Sequence, residues 1–249
     1  MTFSLIAREP ETGHLGVAVA SRFFAVGATI PFITPFGAIA SQALVNPVWG
    51  VEGGKLLAAG DFPETVLKTL KSKDSGHPQR QVHLMTADGQ SAGFTGSECI
   101  DWAGHKTAEN ISVAGNMLAG ERVLEDMLSC YLDTKSVPFA ERLLLAMEAG
   151  EAAGGDKRGR QSASLTIHRG EAFPWLDLRC DDDAEPLIEI RRLLDVAGER
   201  YIHFTEMMGS SANLSGHADR SRIEALIKAG EEAREAENKP SASRQFERP

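Results

Sequence analysis

Cysteine is scarce in this chain of 249 residues, which contains only Cys99, Cys130 and Cys180. These cysteines lie far apart and form no CxxC pair, which excludes a disulfide framework and a zinc site built on paired cysteines. We expect three reduced thiols that pack as small apolar side chains. The acidic run at 181–183 precedes a predicted helix, so capping explains it better than metal binding. We therefore expect neither a metal ion nor a cofactor.

Long apolar runs and a surplus of basic residues are also missing. No stretch approaches the ~18 uninterrupted apolar residues of a membrane span, so we expect no membrane insertion. The formal net charge of −9 argues against a general nucleic-acid binder, which needs a basic face to neutralise phosphates. The opening residues, MTFSLIAREPETG, have no basic stretch followed by an apolar core. We therefore expect no signal peptide and a cytoplasmic location.

The apolar pattern predicts strands grouped in hairpins and helices grouped in pairs. Residues 3–8 and 15–20 flank a polar turn and predict an antiparallel hairpin at the start of the chain. Asp88 and Gly89 form a typical hairpin turn and predict another hairpin around them. Apolar residues spaced near 3.6 predict two helices between about residues 120 and 153. This order favours an antiparallel α+β layered domain over a doubly wound parallel sheet.

Other segments carry weaker signals. We interpret IPFITP as a connection between strands because it contains two prolines, and DWAGHKT as a loop that exposes His105. Asp61 is expected to cap a helix that begins near Pro63. The chain becomes polar and rich in glycine and serine after residue 208. The sequence thus predicts one domain over 1–208, followed over 209–249 by a linker, a marginal helix and a disordered tail.

The first candidate site is Thr2, which heads the first predicted strand. Cells usually remove an initiator Met that precedes a small residue such as threonine. Removal leaves a free α-amine, and its ordinary pKa of about 7.7–8.0 keeps part of it neutral near pH 7. That amine can act as a general base toward the hydroxyl of Thr2, which activates a weak nucleophile. If Met1 instead stays attached, Thr2 is an ordinary strand residue.

The second candidate site is the glycine-rich basic segment GEAAGGDKRGRQSAS, residues 150–164. Backbone N–H groups of such a loop can form a concave anion site, and arginine adds bidentate contacts to a carboxylate or phosphate. Within it we select Asp156, Arg160 and Gln161 as substrate-binding residues. The alternative is a helix C-terminus whose basic residues compensate the helix dipole.

Four polar residues near predicted strand ends complete the candidate set. Asn116 follows a strand and is a candidate donor to an oxyanion. Arg22, Gln42 and Asn46 are candidates for substrate binding. For the amide side chains the alternative is backbone capping of a turn, and for Arg22 it is an ordinary surface charge.

Several strings together resemble a bacterial family of uncharacterised proteins. In order, they are TFSLIAREPETGHLGVAVASRFFAVGA, SQALVNP, DWAGHKT, AGNMLAG and AGGDKRGRQSAS. Over about residues 2–195 the chain is identified as a member of the domain-of-unknown-function family ten twenty-eight. This resemblance implies the fold of the N-terminal-nucleophile (Ntn) hydrolases, a four-layer αββα sandwich of two antiparallel sheets between helices. In those enzymes the first residue of the mature chain attacks an amide carbonyl, and Thr2 is the position that matches.

We therefore predict an amide hydrolase that acts on a small, carboxylate-bearing substrate, with Thr2 as the nucleophile and Asn116 as the oxyanion donor. The alternative is a catalytically inactive Ntn-like protein that binds a small anion. In both cases the expected partner is a small molecule or anion, and neither a nucleic acid nor a membrane. We also expect a homodimer, because sandwich folds of this kind often pair through their helical layers.

Overall fold

The computed structural model describes residues 2–205, 207–216 and 220–238. These residues contain ten β-strands, and every pairing between neighbouring strands is antiparallel. The strands are β1 (Thr2–Arg8), β2 (Leu15–Ser21), β3 (Pro31–Thr34), β4 (Gly37–Ala43), β5 (Arg80–Thr86), β6 (Ser91–Thr95), β7 (Trp102–Ala108), β8 (Ile111–Leu118), β9 (Ser162–His168) and β10 (Leu176–Cys180).

The strands form two sheets. A six-stranded sheet has the order β10-β9-β2-β1-β8-β7, and a four-stranded sheet has the order β3-β4-β5-β6. The two predicted hairpins are confirmed as β1–β2 and β5–β6. Strand β1 lies inside the larger sheet, between β2 and β8, so both of its edges are hydrogen-bonded.

Helices cover the outer face of each sheet. The helices in the described residues are α1 (Pro47–Ala58), α2 (Pro63–Ser72), α3 (Arg122–Asp133), α4 (Phe139–Ala152), α5 (Pro186–Val196), α6 (Ile202–Thr205) and α7 (Arg220–Asn238). Helices α1 and α2 pack on the four-stranded sheet, and α3 and α4 pack on the six-stranded sheet. The result is the expected α+β sandwich, with two antiparallel sheets between two helical layers.

The chain divides into two compact units, one up to Arg192 and one from Leu193 onward. The first unit contains both sheets and helices α1 to α4. The second unit contains a π-helical turn (Ala197–Tyr201), α6 and α7. The predicted boundary after residue 208 stays a prediction, and the tail at 239–249, expected to be disordered, lies outside the described residues.

Alternation along β1 decides where the side chain of Thr2 points. Phe3 faces α4, because a Cβ atom built on Gly150 of that helix would lie 3.5 Å from the Phe3 ring. Ile6 packs in a buried cluster with residues of the four-stranded sheet. Since neighbouring side chains of a strand point to opposite faces, Thr2 lies on the same face as Ser4 and Ile6. That face is the interior between the two sheets.

Three local expectations were wrong. The segment interpreted as a connection contains β3, and its proline at the first strand position is tolerated because β3 is an edge strand. The supposed loop around His105 is mostly β7, whose polar composition fits an edge strand with an exposed face. Asp61 does not cap α2, because the N-cap residue is Phe62 and no side chain accepts a hydrogen bond there.

Candidate active site

Polar side chains lie next to one another across the six-stranded sheet at the end where β1 begins. Thr2 lies opposite Ser21 of β2 on one side and opposite Asn116 of β8 on the other. The Oγ1 atom of Thr2 is 3.1 Å from the Oγ atom of Ser21, a hydrogen-bonding distance. Residues directly opposite each other in an antiparallel pair share a face of the sheet. The fold therefore brings together Thr2 and Asn116, the two residues predicted to be catalytic.

A cavity of about 380 Å³, which we call the Asn116 cavity, opens between the ends of the two sheets at this point. Its lining residues are Ala43, Leu44, Gln79, Glu98, Cys99, Ile100, Asn116 and Met117. Two of them have left-handed backbone conformations, with φ of 69° at Ala43 and 54° at Met117. Such conformations cost roughly 1–3 kcal/mol each in residues with a Cβ atom, and they concentrate at functional sites.

A buried hydrogen-bond network holds the amide of Asn116. Its Nδ2 atom donates to Oε1 of Gln81 over 3.0 Å, and Nε2 of Gln42 donates to the same oxygen over 2.8 Å. The hydroxyl of Ser4 in turn donates to Oε1 of Gln42 over 2.7 Å. One Nδ2 hydrogen of Asn116 is thereby used, and a second remains on the same nitrogen. Gln42 thus shares its acceptor with Asn116, and its predicted role in substrate binding stays a prediction.

His83 extends this network between the sheets. Its ring nitrogens lie 2.9 Å from the hydroxyl of Ser4 and 2.9 Å from the hydroxyl of Ser112. Burial lowers the pKa of His83 from 6.5 to about 3, so the ring is neutral at physiological pH. The sequence reasoning missed His83 and Gln81. The sequence pattern that could have identified them is RQVHLMT in β5, where Gln81 and His83 alternate with apolar residues and so share one face of the strand.

Asp156 lies at the end of β1, in line with the strand. The backbone of Asp156 pairs with Leu118 of β8. On its opposite side, Leu118 pairs with Trp102 of β7, so Asp156 lies on the side of β8 that faces β1. Because Thr2 pairs with Asn116, Leu118 lies opposite the position two residues ahead of Thr2, about 7 Å away along the strand axis. The buried carboxylate of Asp156 accepts a 2.7 Å hydrogen bond from the backbone N–H of Arg22, the residue after Ser21. The glycine-rich loop and Thr2 therefore occupy the same end of the sheet.

The basic side chains of this loop are already paired with carboxylates. Arg158 contacts Asp156 over 3.3 Å. The other ion pairs are Lys157 with Asp101, and Arg160 with Glu151 and Glu185. The neutral amide of Gln161 donates a hydrogen bond to the carboxylate of Asp182. Less positive charge is therefore free to attract an anion than the sequence alone indicates.

The remaining candidates lie outside the Asn116 cavity. Asn46 is the N-cap of α1: its Oδ1 accepts from the backbone N–H of Val48 over 3.1 Å, which is the capping alternative left open by the sequence. The exposed guanidinium of Arg22 donates to the backbone oxygen of Arg158 over 3.3 Å. No cluster of three or more metal-ligating side chains occurs in the part of the chain that is described. Nor is any described helix long and apolar enough to cross a membrane.

Comparisons with known proteins cover the part of the chain that contains the candidate site residues. A family model described as "Family of unknown function (DUF1028)" matches residues 2–190. The crystal structure of protein SPO2555 from Silicibacter pomeroyi, which carries the same family model, has a TM-score of 0.81 and 31% sequence identity to this chain. That similarity covers 88% of this chain and 99% of the other. No curated protein matches.

Proposed function

The chain belongs to the family of unknown function DUF1028, and from this premise we propose that it is an amide hydrolase with Thr2 as its nucleophile. One observation carries the proposal: Thr2 heads a buried central strand and pairs directly with Asn116, which lines a cavity that Thr2 itself does not line. The αββα layers, which the resemblance to Ntn hydrolases implied, support it. The proposal requires that Met1 be removed.

The reaction follows from the groups around Thr2. The free α-amine takes the proton from Oγ1 of Thr2 while that oxygen attacks the amide carbonyl carbon. The resulting oxyanion accepts a hydrogen bond from Nδ2 of Asn116. The C–N bond then breaks as the α-ammonium returns the proton to the leaving nitrogen. Water, deprotonated by the same amine, hydrolyses the acyl ester and releases the acid and the threonine hydroxyl.

Ser21 and Asp156 are proposed as positioning residues. A hydrogen bond at 3.1 Å from Ser21 restricts the rotation of the Thr2 hydroxyl. The carboxylate of Asp156 is held by the backbone N–H groups of Arg22 and Arg158 over 2.7 and 2.8 Å. Because the backbone of Asp156 lies in line with the end of β1, we propose that this carboxylate faces the α-ammonium of a chain without Met1. A carboxylate there favours the protonated amine between proton transfers.

The charges suggest how a substrate would lie. Glu98 is the charged residue of the Asn116 cavity, and no basic side chain lines it among the described residues, so a neutral part of the substrate fits there. A substrate carboxylate would face Arg22, on the other side of Thr2. Arg160 and Gln161 can bind that carboxylate only by exchanging their present partners on Glu151, Glu185 and Asp182.

The first test determines whether Met1 is removed and whether Thr2 carries a free α-amine. Intact mass should correspond to loss of Met1, and periodate should convert the terminal threonine to a glyoxylyl group, because it cleaves a free 1,2-amino alcohol. Purified protein is then assayed for acid release from a panel of small N-acyl amino acids. Thr2→Ser keeps both reacting groups and should retain turnover, whereas Thr2→Ala should lose it with an unchanged circular dichroism spectrum.

Two results would contradict the proposal. One is undiminished turnover in the Thr2→Ala variant. The other is a mass that includes Met1 in soluble native protein, which would favour the alternative of a catalytically inactive protein that binds a small anion. The proposed homodimer is tested separately by light scattering, and it is compatible with either function.

A further inference from the structure

A second cavity, of about 420 Å³, lies between α2 and the edge strands of the two sheets, β6 and β7. We call it the Lys68 cavity. None of its lining residues lines the Asn116 cavity. The side chains that matter for its chemistry are those of Glu64, Lys68, Lys71, Ser91, His105 and Thr107.

The two lysines of this cavity differ from the basic residues of the loop at 157–160. Within the described residues, neither Lys68 nor Lys71 lies within ion-pair distance of a carboxylate. The ammonium of Lys71 lies 4.4 Å from the ring centre of Phe94, which sets it at the cavity wall. Among the lining residues that the structure describes, Glu64 is the one carboxylate, against two ammonium groups. In a chain with a net charge of −9, this is a local excess of positive charge.

His105 adds a directed donor to this cavity. Nε2 of Gln81 donates to the hydroxyl of Thr95 over 2.9 Å, and that hydroxyl lies 2.9 Å from Nδ1 of His105. The same Nε2 atom of Gln81 also lies within hydrogen-bonding distance of the backbone oxygens of Gly104 and Gly115. We assign the hydroxyl hydrogen of Thr95 to Nδ1 of His105, which puts the proton of a neutral ring on Nε2. Burial lowers the pKa of His105, which favours this neutral form.

Gly93 allows the ring to take this place. A Cβ atom at residue 93 would lie 2.3 Å from Cδ2 of His105, so any larger residue would displace the imidazole. The ring thus rests directly on the backbone of β6. The exposed imidazole is thus positioned by contact with Gly93 on one side and by the hydroxyl of Thr95 on the other.

We propose that the Lys68 cavity is a binding site for a small molecule that carries a phosphoryl group. Two unpaired ammonium groups match the double negative charge of a phosphoryl group at neutral pH. The Nε2–H group of His105 and the hydroxyls of Ser91 and Thr107 supply neutral donors to its oxygens. The site is independent of Thr2 and of the removal of Met1.

Inorganic phosphate is the probe for a titration followed by ¹H–¹⁵N correlation spectra of the full chain. Each point is matched in ionic strength with sodium chloride, because any lysine pair attracts anions weakly. We expect saturable shifts confined to α2, β6 and β7. The double variant Lys68→Gln/Lys71→Gln should weaken binding at least tenfold, and His105→Ala severalfold. Lys73→Gln, which removes one charge from the end of the same helix outside the cavity, should bind as the parent does.

The proposal is overturned if the shifts do not saturate, if chloride reproduces them, or if Lys73→Gln weakens binding as much as the double variant. The Thr2→Ala variant should bind phosphate normally. A loss of turnover without loss of phosphate binding, or the reverse, therefore separates this site from the proposed hydrolase.

Discussion

The buried imidazole of His83 makes the stability of the sandwich depend on pH. In the folded chain its pKa is lowered to about 3, because the ring is buried between the two sheets and loses its hydration. In the unfolded chain the pKa returns to the ordinary value of about 6.5. Below pH 6.5 the unfolded state therefore binds a proton that the folded state does not. Stability is unaffected by this residue at higher pH and decreases as the pH falls toward 3.

The size of the effect follows from the same two values. Each pH unit well below 6.5 costs about 1.4 kcal/mol, because one proton is taken up on unfolding. Between pH 6 and pH 4.5 the contribution of His83 is thus about 2 kcal/mol. That is a large share of the roughly 5–15 kcal/mol by which folded proteins are usually stable.

The assay is urea unfolding at several pH values, followed by tryptophan fluorescence, on the parent and on His83→Gln. The variant should be less stable at pH 7, because Ser4 and Ser112 lose their imidazole partner. Its stability should nevertheless fall less steeply with acid, by roughly 2.5 kcal/mol in total between pH 6 and pH 4. His77→Gln, a substitution in a half-buried surface turn, is the control for removal of a histidine. Parallel slopes for the parent and His83→Gln would refute the argument.

Two further substitutions test the surroundings of the sites. Asp156→Asn removes the charge from a buried carboxylate that accepts two backbone hydrogen bonds, so the free energy of unfolding should fall by about 1.5–3 kcal/mol; an unchanged urea midpoint would contradict this role. Gly93→Ala should displace the ring of His105 and lower the free energy of unfolding by about 1–3 kcal/mol. The control is Gly120→Ala, where nothing lies within 4 Å of the new Cβ atom and no such loss is expected. Equal urea midpoints for the two variants would contradict the role of the close contact in stability.

Local chemistry was sufficient to predict much of the secondary structure. The hairpin β5–β6 follows from a two-residue turn signal, and α3 and α4 follow from apolar spacing. Such signals lie within a few residues of one another, so they need no knowledge of the rest of the chain. Strand β7 was missed for the opposite reason. Its polar residues resemble a loop until β8 supplies the hydrogen-bonding partner.

The candidate site divides in the same way. Thr2 and Asn116 were identifiable in the sequence as polar residues at strand ends, but only the pairing of β1 with β8 makes them neighbours. Likewise, the basic loop is evident in the sequence, whereas its neutralisation depends on carboxylates such as Asp101 and Glu185 that the fold brings to it. Composition and spacing determine which groups a chain carries and how nearby segments fold. Which charges are cancelled, and which polar groups face a cavity, depends on contacts between distant segments that exist only once the layers have packed.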